Sequence, residues 1–281
     1  AEYGNSLSGV FDLKMRNGNT KRHEFTGQMG FNGFELGAEG PLSKVKRSSY
    51  MVNYRYTMMD LMSAMGMFDV GGVPKYTDLS FKFFLPTERL GTFSLFGIGG
   101  MGRIELLEDT GSGWSSEMLP GTQVFNGSKM GALGLTNKYF LTGSGRVESS
   151  VSVSHSNSFN EVDTLRSGNY INFYNENYAE TRYTASTKYV KKIDSRNTIQ
   201  AGVVAELFDF SFYDETFEPS HNNPIQNTNI KDYTSLYQGY AQLKHRLTDA
   251  LAVNLGLHGQ VFALNGSKSV EPRFGASYSI N

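Results

Sequence analysis

Apolar and polar residues alternate with a period of two along this chain. Leu251, Val253, Leu255, Leu257, Val261 and Ala263 hold odd positions, and Asn254, His258 and Gln260 stand between them. A strand sends successive side chains to opposite faces, so this segment reads as a strand with one apolar and one hydratable face. The pattern returns again and again. Tyr50, Val52, Tyr54, Tyr56 and Met58 alternate with Asn53, Arg55 and Thr57, and Leu79, Phe81, Phe83 and Leu85 with Asp78, Ser80 and Lys82. Val147, Val151 and Val153 alternate with Arg146, Glu148 and a run of serines; Ala179, Tyr183, Ala185 and Tyr189 with Glu180, Arg182 and Lys188. Ile199 to Leu207, Tyr237 to Leu247 and Phe274 to Ile280 continue it. The pattern predicts about a dozen strands, many of them near or above the ~10 residues that a tilted membrane strand needs. One greasy face and one wet face, strand after strand, is the pattern of a transmembrane antiparallel up-and-down β-barrel.

The connections sharpen that expectation. Ser6 to Arg16 reads as a short strand, with Val10 and Asp12 on one face and Phe11, Leu13 and Met15 on the other, ended by the turn Asn17-Gly18-Asn19. Phe25, Gly27, Met29 and Phe31 form the next apolar face, Asn32-Gly33 is a hairpin signal, and Pro41 is expected to end the strand after it. Long polar loops are expected over 61–75, 105–127 (holding Trp114), 158–175 and 213–231. Short turns are expected at Pro86–Leu90, Leu141–Gly145, Asp194–Asn197 and Thr248–Ala250, with a short loop from Asn265-Gly266. Long and short connections alternate, which places the short turns on one rim. Outer-membrane barrels keep tight turns in the periplasm and long loops outside. The segment from Thr92 to Ile104 is broken by glycines and apolar on both sides, so alternation does not assign its faces.

Composition fits. Among 281 residues there are 31 Gly, 16 Tyr and 20 Phe but one Trp; aromatic residues suit sheets and membrane-interface girdles. Mean hydropathy is −0.37, and no stretch approaches the ~18 uninterrupted apolar residues of a membrane helix. A formal charge of −1 gives no reason to expect nucleic acid as a partner. The absence of cysteine excludes disulfides and thiolate metal sites.

No catalytic constellation stands out, and no enzyme activity, cofactor or metal is expected. His23, His155, His221, His245 and His258 lack metal-ligand spacing, and His221 and His258 are expected to be solvated. A barrel lipid hydrolase built on Ser154, His155 and Ser156 or on His245 is the enzymatic alternative. Gly97 to Gly102 lacks the lysine and helix of a phosphate loop and reads as strand glycines that ease curvature. Glu105, Glu108 and Asp109 read as a solvated acidic run, with calcium binding as the rival reading. Arg55, Lys82, Arg146, Arg182 and Lys188, with Asn254, His258 and Gln260, are expected to face the lumen, where the cations hold a plug or line a substrate path. Tyr170, Phe173, Tyr174 and Phe217 are the loop candidates for substrate binding. Together with Phe212 and Tyr213, they either stack on a ligand such as a glycan or peptide or form the outer girdle.

The first residues, Ala1-Glu2-Tyr3-Gly4-Asn5-Ser6-Leu7-Ser8-Gly9-Val10-Phe11-Asp12-Leu13-Lys14-Met15-Arg16, resemble the end of the plug domain of TonB-dependent outer-membrane receptors. Their wording is most similar to the Bacteroidetes type, which carries a carboxypeptidase-regulatory-like domain before the plug. Gly266-Ser267-Lys268-Ser269-Val270-Glu271-Pro272-Arg273-Phe274-Gly275 is similar to a strand start in the same barrels. The resemblance implies that residues 1–20 end a plug and 21–281 form the amino-terminal half of a barrel of about 22 strands. It implies uptake of a nutrient across the bacterial outer membrane. The implied partners are outer-membrane lipid and TonB, the latter reached through an amino-terminal segment that this chain lacks. Further partners expected are other chains completing the wall and a surface lipoprotein. Against that pattern the chain is expected to be a fragment. The alternative function is a structural or secretion-associated barrel that binds a surface partner and transports nothing.

Overall fold

Peptide groups inside a hydrocarbon layer have no water to bond, so a polypeptide that crosses as strands must pair each strand with its neighbours. The architecture meets that demand for every strand but the two at its edges. A computed structural model describes residues 2, 4, 10, 12–30, 33–43, 45, 47–57, 59, 74–107, 120–220 and 222–280. Among them twelve strands follow one another: β1 (Glu24–Gly30), β2 (Gly33–Ser43), β3 (Ser48–Tyr56), β4 (Lys75–Pro86), β5 (Thr92–Leu106), β6 (Thr122–Phe140), β7 (Gly145–Arg166), β8 (Asn169–Lys192), β9 (Asn197–Glu218), β10 (Asn223–Arg246), β11 (Leu251–Phe262) and β12 (Lys268–Tyr278). They form a single 12-stranded sheet in sequence order, with β1 and β12 at its edges. Every pairing is antiparallel. No helix among the described residues is long and apolar enough to cross a membrane.

Cross-strand partners share a face, so the register assigns the two surfaces. Val151 pairs with Ala185, Ala185 with Ala205 and Ala205 with Tyr237, which traces an apolar row across β7 to β10. These residues look outward: Val151 is 55% exposed, Val203 57% and Leu257 53%. The following row on that face, Val153–Tyr183–Leu207–Ser235, is still mostly apolar, and the one after it, His155–Thr181–Asp209–Tyr233, is polar. The apolar run Ile199–Leu207 on β9 covers roughly 27 Å along the strand and roughly 20 Å in height, at ~3.4 Å per residue and a tilt of ~40°. That approaches the ~25 Å apolar band of a membrane barrel. A groove of about 750 Å³ lies in this band, walled by Phe93, Leu135, Val151, Val203, Tyr237 and Val261. The opposite face carries Ser150, Ser152, Lys188, Glu206, Gln238 and their partners.

The same logic settles β5. Phe93, Leu95, Gly97, Gly99 and Met101 face outward, and Phe96, Ile98 and Gly100 inward. A Cβ on Gly97 would lie 2.4 Å from the Phe81 ring, so glycine makes room there for an aromatic neighbour. The short turns after β4, β6, β8 and β10 do gather on one rim, as expected.

Several expected boundaries are corrected. The expected loop over 158–175 is a continuous hairpin: β7 runs to Arg166, Ser167 (φ 50) and Gly168 (φ 84) turn the chain, and β8 begins at Asn169. Two consecutive positive φ angles give the turn whose twist matches paired strands. The expected loop over 213–231 is likewise the paired ends of β9 and β10, joined at 219–222. β7 to β10 therefore reach 22, 24, 22 and 24 residues, more than twice the ~10 that a membrane crossing needs. Beyond the apolar band both faces of a strand meet water, so its alternation disappears from the sequence while its ladder continues. β6 starts at Thr122 rather than Ser128. Pro41 does not end its strand; β2 continues to Ser43 through a register shift beside the proline, where a missing N–H is tolerated. Phe31, Asn32, Met58, most of the loop expected at 61–75, Glu108, Asp109, Trp114 and His221 lie outside the described residues.

Asp194 shows how a rim turn is closed. Its carboxylate accepts the Arg196 N–H at 2.7 Å, the Asn197 N–H at 2.8 Å and the Asn197 side-chain amide at 2.8 Å. These donors hold its pKa below the usual aspartate range. A lowered folded pKa contributes stability that is complete above the unfolded value of ~3.9 and is lost as pH falls through the folded value. Corrected amide exchange at Arg196 and Asn197 is expected to stay flat from neutral pH to about pH 4.5 and to rise below about pH 4. In Asp194→Ala it should be fast throughout. Equal protection in the variant would contradict this account.

Candidate functional site

Charges on the inner face need partners, and the register supplies a crossing row of them. His258, Tyr240, Gly202, Lys188, Glu148 and Lys138 are consecutive cross-strand partners from β11 to β6. Glu148 receives Arg146 at 2.7 Å, Lys188 at 3.3 Å and Lys138 at 3.4 Å. Gly202 leaves room for Tyr240, because a Cβ there would lie 2.7 Å from the phenol oxygen.

The amino-terminal segment completes this row as a strap. Glu2 accepts Lys188 Nζ at 2.7 Å and the Gln200 side-chain amide at 2.7 Å. Gly4 lies so close to His258 that a Cβ on it would come within 2.4 Å of the imidazole. Farther along, Lys82 Nζ donates to the Met15 carbonyl at 2.7 Å. Arg16 grips Glu39 with two bonds, of 2.6 and 2.7 Å, and the Asn19 N–H adds a third to the same carboxylate at 2.8 Å. The strap thus reaches from β8, β9 and β11 to β2 and β4. Val10 and residues 12–19 belong to no strand, which corrects the described part of the strand expected over Ser6–Arg16 and its closing turn; Ser6–Gly9 and Phe11 lie outside the described residues. The segment crosses the wall's strands instead of running beside one, and its described bonds are to side chains rather than to a ladder.

Gly18 is buried where the strap meets β3, and a Cβ there would lie 2.0 Å from the Tyr50 carbonyl oxygen. That atom is backbone and cannot rotate away. Gly18→Ala is therefore expected to unseat this end of the strap and raise tryptic cleavage at Lys14 and Arg16 in the folded protein several-fold. Unchanged cleavage would mean that the close approach relaxes at no cost.

The register places Arg55, Lys82, Arg146, Arg182, Lys188, Asn254, His258 and Gln260 all on the inner face. Only some of them meet the strap: Lys82 and Lys188 bond to it, and His258 lies beneath it. Arg55 pairs with Asp78 at 2.8 Å and stands over the Tyr76 ring. Arg182 binds Glu180 at 2.9 Å, approaches Glu206 at 3.7 Å and stacks 4.6 Å from the centre of the Phe208 ring. His258 is not solvated, as expected from sequence, but fully buried; its Nε2 lies 3.2 Å from Gln238 Oε1 and its Nδ1 3.6 Å from Glu271.

The aromatic loop candidates separate. Tyr170, Phe173 and Tyr174 lie on β8 and Phe217 on β9, all on strands rather than in loops. Tyr174 donates to Glu176 at 2.7 Å, which, on this extension beyond the apolar band, pushes its pKa up to about 12. Phe217 supports the Arg166 guanidinium, and Phe173 sits at a register shift. An inner aromatic group went unrecognised in the sequence: Tyr178, Phe208 and Phe210, with Phe212, line one groove. Their common signal is even numbering, opposite in parity to outward Leu207.

Ser154 and His155 cannot act together, because adjacent strand residues face opposite sides; Ser154 is inward and His155 outward, 2.9 Å from Thr181 Oγ1. His245 is engaged by Asn197 at 2.7 Å. Gly97–Gly102 is part of β5. Among the described residues no group of three His, Asp or Glu side chains is placed to hold a metal ion.

No family model matches the chain, and no curated protein matches it in sequence. Solved structures do. The ferric-catecholate import receptor Fiu from Escherichia coli, in its open form, aligns with a TM-score of 0.58 at 11% identity, over 94% of this chain and 51% of that one. A mutant of the ferric enterobactin receptor PfeA from Pseudomonas aeruginosa gives 0.56 at 12% identity, over 92% and 41%. The siderophore receptor PirA from Acinetobacter baumannii gives 0.53 at 14%, over 92% and 40%. The fold is that of outer-membrane receptor barrels. The chain spans about half of these proteins or less, and at such identities what is shared is the architecture of the wall.

Proposed function

We propose that this chain forms about half the wall of a TonB-dependent transporter that takes up a nutrient across the bacterial outer membrane. Residues 1–20 end its plug, and 21–281 are the amino-terminal half of its barrel. The single observation that carries the reading is the strap: a segment inside the wall, bonded at both ends to inward side chains, beneath an outer face that is apolar over about a membrane's thickness. An outward apolar band calls for lipid, and a polar inner face holding a segment of its own chain calls for a gated lumen. The rim of short turns then lies in the periplasm, and the long hairpins of β7 to β10 stand outside the cell. Structural neighbours named as a copper transporter, ferric-catecholate receptor and siderophore receptor support transport without fixing what is carried. Membership of the Bacteroidetes type rests on the wording of the first sixteen residues.

The test is uptake by the intact protein that contains this wall, expressed in cells with and without TonB. Candidate nutrients, supplied singly as sole iron, copper, nitrogen or carbon source, should support growth only when both proteins are present. Growth equally independent of TonB for every nutrient would overturn the reading.

A further inference from the structure

Inside the wall, where β8 to β11 approach the long-loop rim, the register stacks three rows. Tyr178, Phe212 and Ile230 are partners in the first, Glu180, Phe210 and Asp232 in the second, and Arg182, Phe208 and Thr234 in the third. Phe210 is thus flanked on both sides by carboxylates. The rings line a groove of about 690 Å³, closed by Leu236 and Phe262. This volume suits a ligand of a few hundred daltons.

The charge around the groove is one-sided. Among the described residues, Glu176, Glu180, Glu206, Asp214 and Asp232 face inward here against one cation, Arg182. That cation is already engaged by Glu180 and Glu206. Glu176 and Asp214 are met by neutral donors, from Tyr174 and Asn227. Arg182 also demonstrates the contact that the groove favours, a guanidinium over the Phe208 ring. Two lining residues hold polar atoms without a hydrogen bond. Thr234 Oγ1 belongs to a residue only 8% exposed, and Gln260 Oε1 is a buried atom at the other end of the same groove, past Leu236 and Phe262. Buried polar atoms ordinarily find partners, so these are open positions for a donor.

We propose that this groove binds a cationic ligand with an apolar face, its ammonium or guanidinium standing over Phe210 between Glu180 and Asp232. The ligand's apolar face lies along Phe208 and Phe212, and a donor on it reaches Thr234 Oγ1, one row from Phe210. A cation gains from the ring face and from two carboxylates at once. An anion of the same size meets an excess of carboxylates over cations and is rejected. The inference rests on the transporter reading, since it places the site in the outward vestibule of the same lumen.

The test uses the intact protein in detergent and two peptide probes of matched size, Lys-Trp-Lys and Glu-Trp-Glu, measured by titration calorimetry. Lys-Trp-Lys should bind at least about tenfold more tightly, and its affinity should fall with added salt. Glu180→Gln with Asp232→Asn, which preserves shape, should weaken it about tenfold or more, and Phe210→Leu should weaken it without changing the salt dependence. Heat-modifiable gel mobility reports that each variant is folded; if the double variant is not, Glu180→Gln alone should weaken binding in the same direction. Equal binding of the two probes, no binding of either, or folded variants that bind Lys-Trp-Lys as the parent does would each overturn the proposal. TonB-dependent growth on a nutrient, persisting in those same variants, would leave the transporter reading standing while this one fell.

Discussion

Val203→Arg is expected to destabilise the wall by about 2–4 kcal/mol, the measured scale for a cation at the midplane of a lipid-facing barrel surface. Val203 lies in the middle of the outward run from Ile199 to Leu207 and is 57% exposed. In water, an exposed valine replaced by arginine costs almost nothing. In hydrocarbon, the guanidinium must be desolvated or must snorkel to an interface. The experiment is urea unfolding of the intact protein in lipid vesicles, with Ser152→Arg as its control. Ser152 faces inward, paired with Gly134 and Thr184, and arginine there enters a wet lumen. The control is expected to cost less than about 1 kcal/mol. Equal costs would mean that the two faces meet the same medium, and the assignment of inside and outside would fail with them.

How far the sequence discloses this wall depends on where each residue sits relative to the apolar band. Inside the band, odd residues such as Leu255, Leu257 and Val203 face lipid while even residues such as Gln238 and Lys188 face solvent, and the contrast marks strand, face and register together. Beyond it the contrast ends. Tyr170, Phe173 and Phe217 look like loop residues because their neighbours are polar on both faces, yet Tyr170 and Phe217 are paired in ladders and Phe173 is the residue a β8 register shift leaves out. β5 fails for the opposite reason. Ile98 faces inward and Gly97 and Gly99 outward, so size follows packing against Phe81 rather than hydropathy. That the cations of the site share one face of the sheet follows from parity alone. Their partners do not: nothing local in the sequence joins Glu2 to Lys188 or Arg16 to Glu39, contacts that depend on how the strap is laid across the sheet. His258 was misjudged for the same reason, since Gly4 of the strap lies against its ring.

Lys188→Met is expected to release the amino-terminal end of the strap. Lys188 is the one ammonium bonded to both Glu2, at 2.7 Å, and Glu148, at 3.3 Å, and its side chain is less than a third exposed. A charge-assisted hydrogen bond in such a setting contributes about 1.5–3 kcal/mol, which is a factor of about 10–100 in the closed-to-open ratio. Removal also leaves two carboxylates facing each other, with the Gln200 amide, among the described residues, still holding Glu2. The far end remains fixed by Arg16 and Lys82, so the strap swings without leaving the lumen. Hydrogen exchange over residues 2–19 in the intact protein should accelerate by about that factor at the Glu2 end and little at the Arg16 end. Passive leak of a small hydrophilic solute should rise with it. Lys188→Arg should keep most of the protection. Glu2→Gln should imitate Lys188→Met, and the double variant should add little to either, because both remove the same interaction. If the two effects add in full, Glu2 and Lys188 act on different partners, and the latch is not the contact that holds the strap in place.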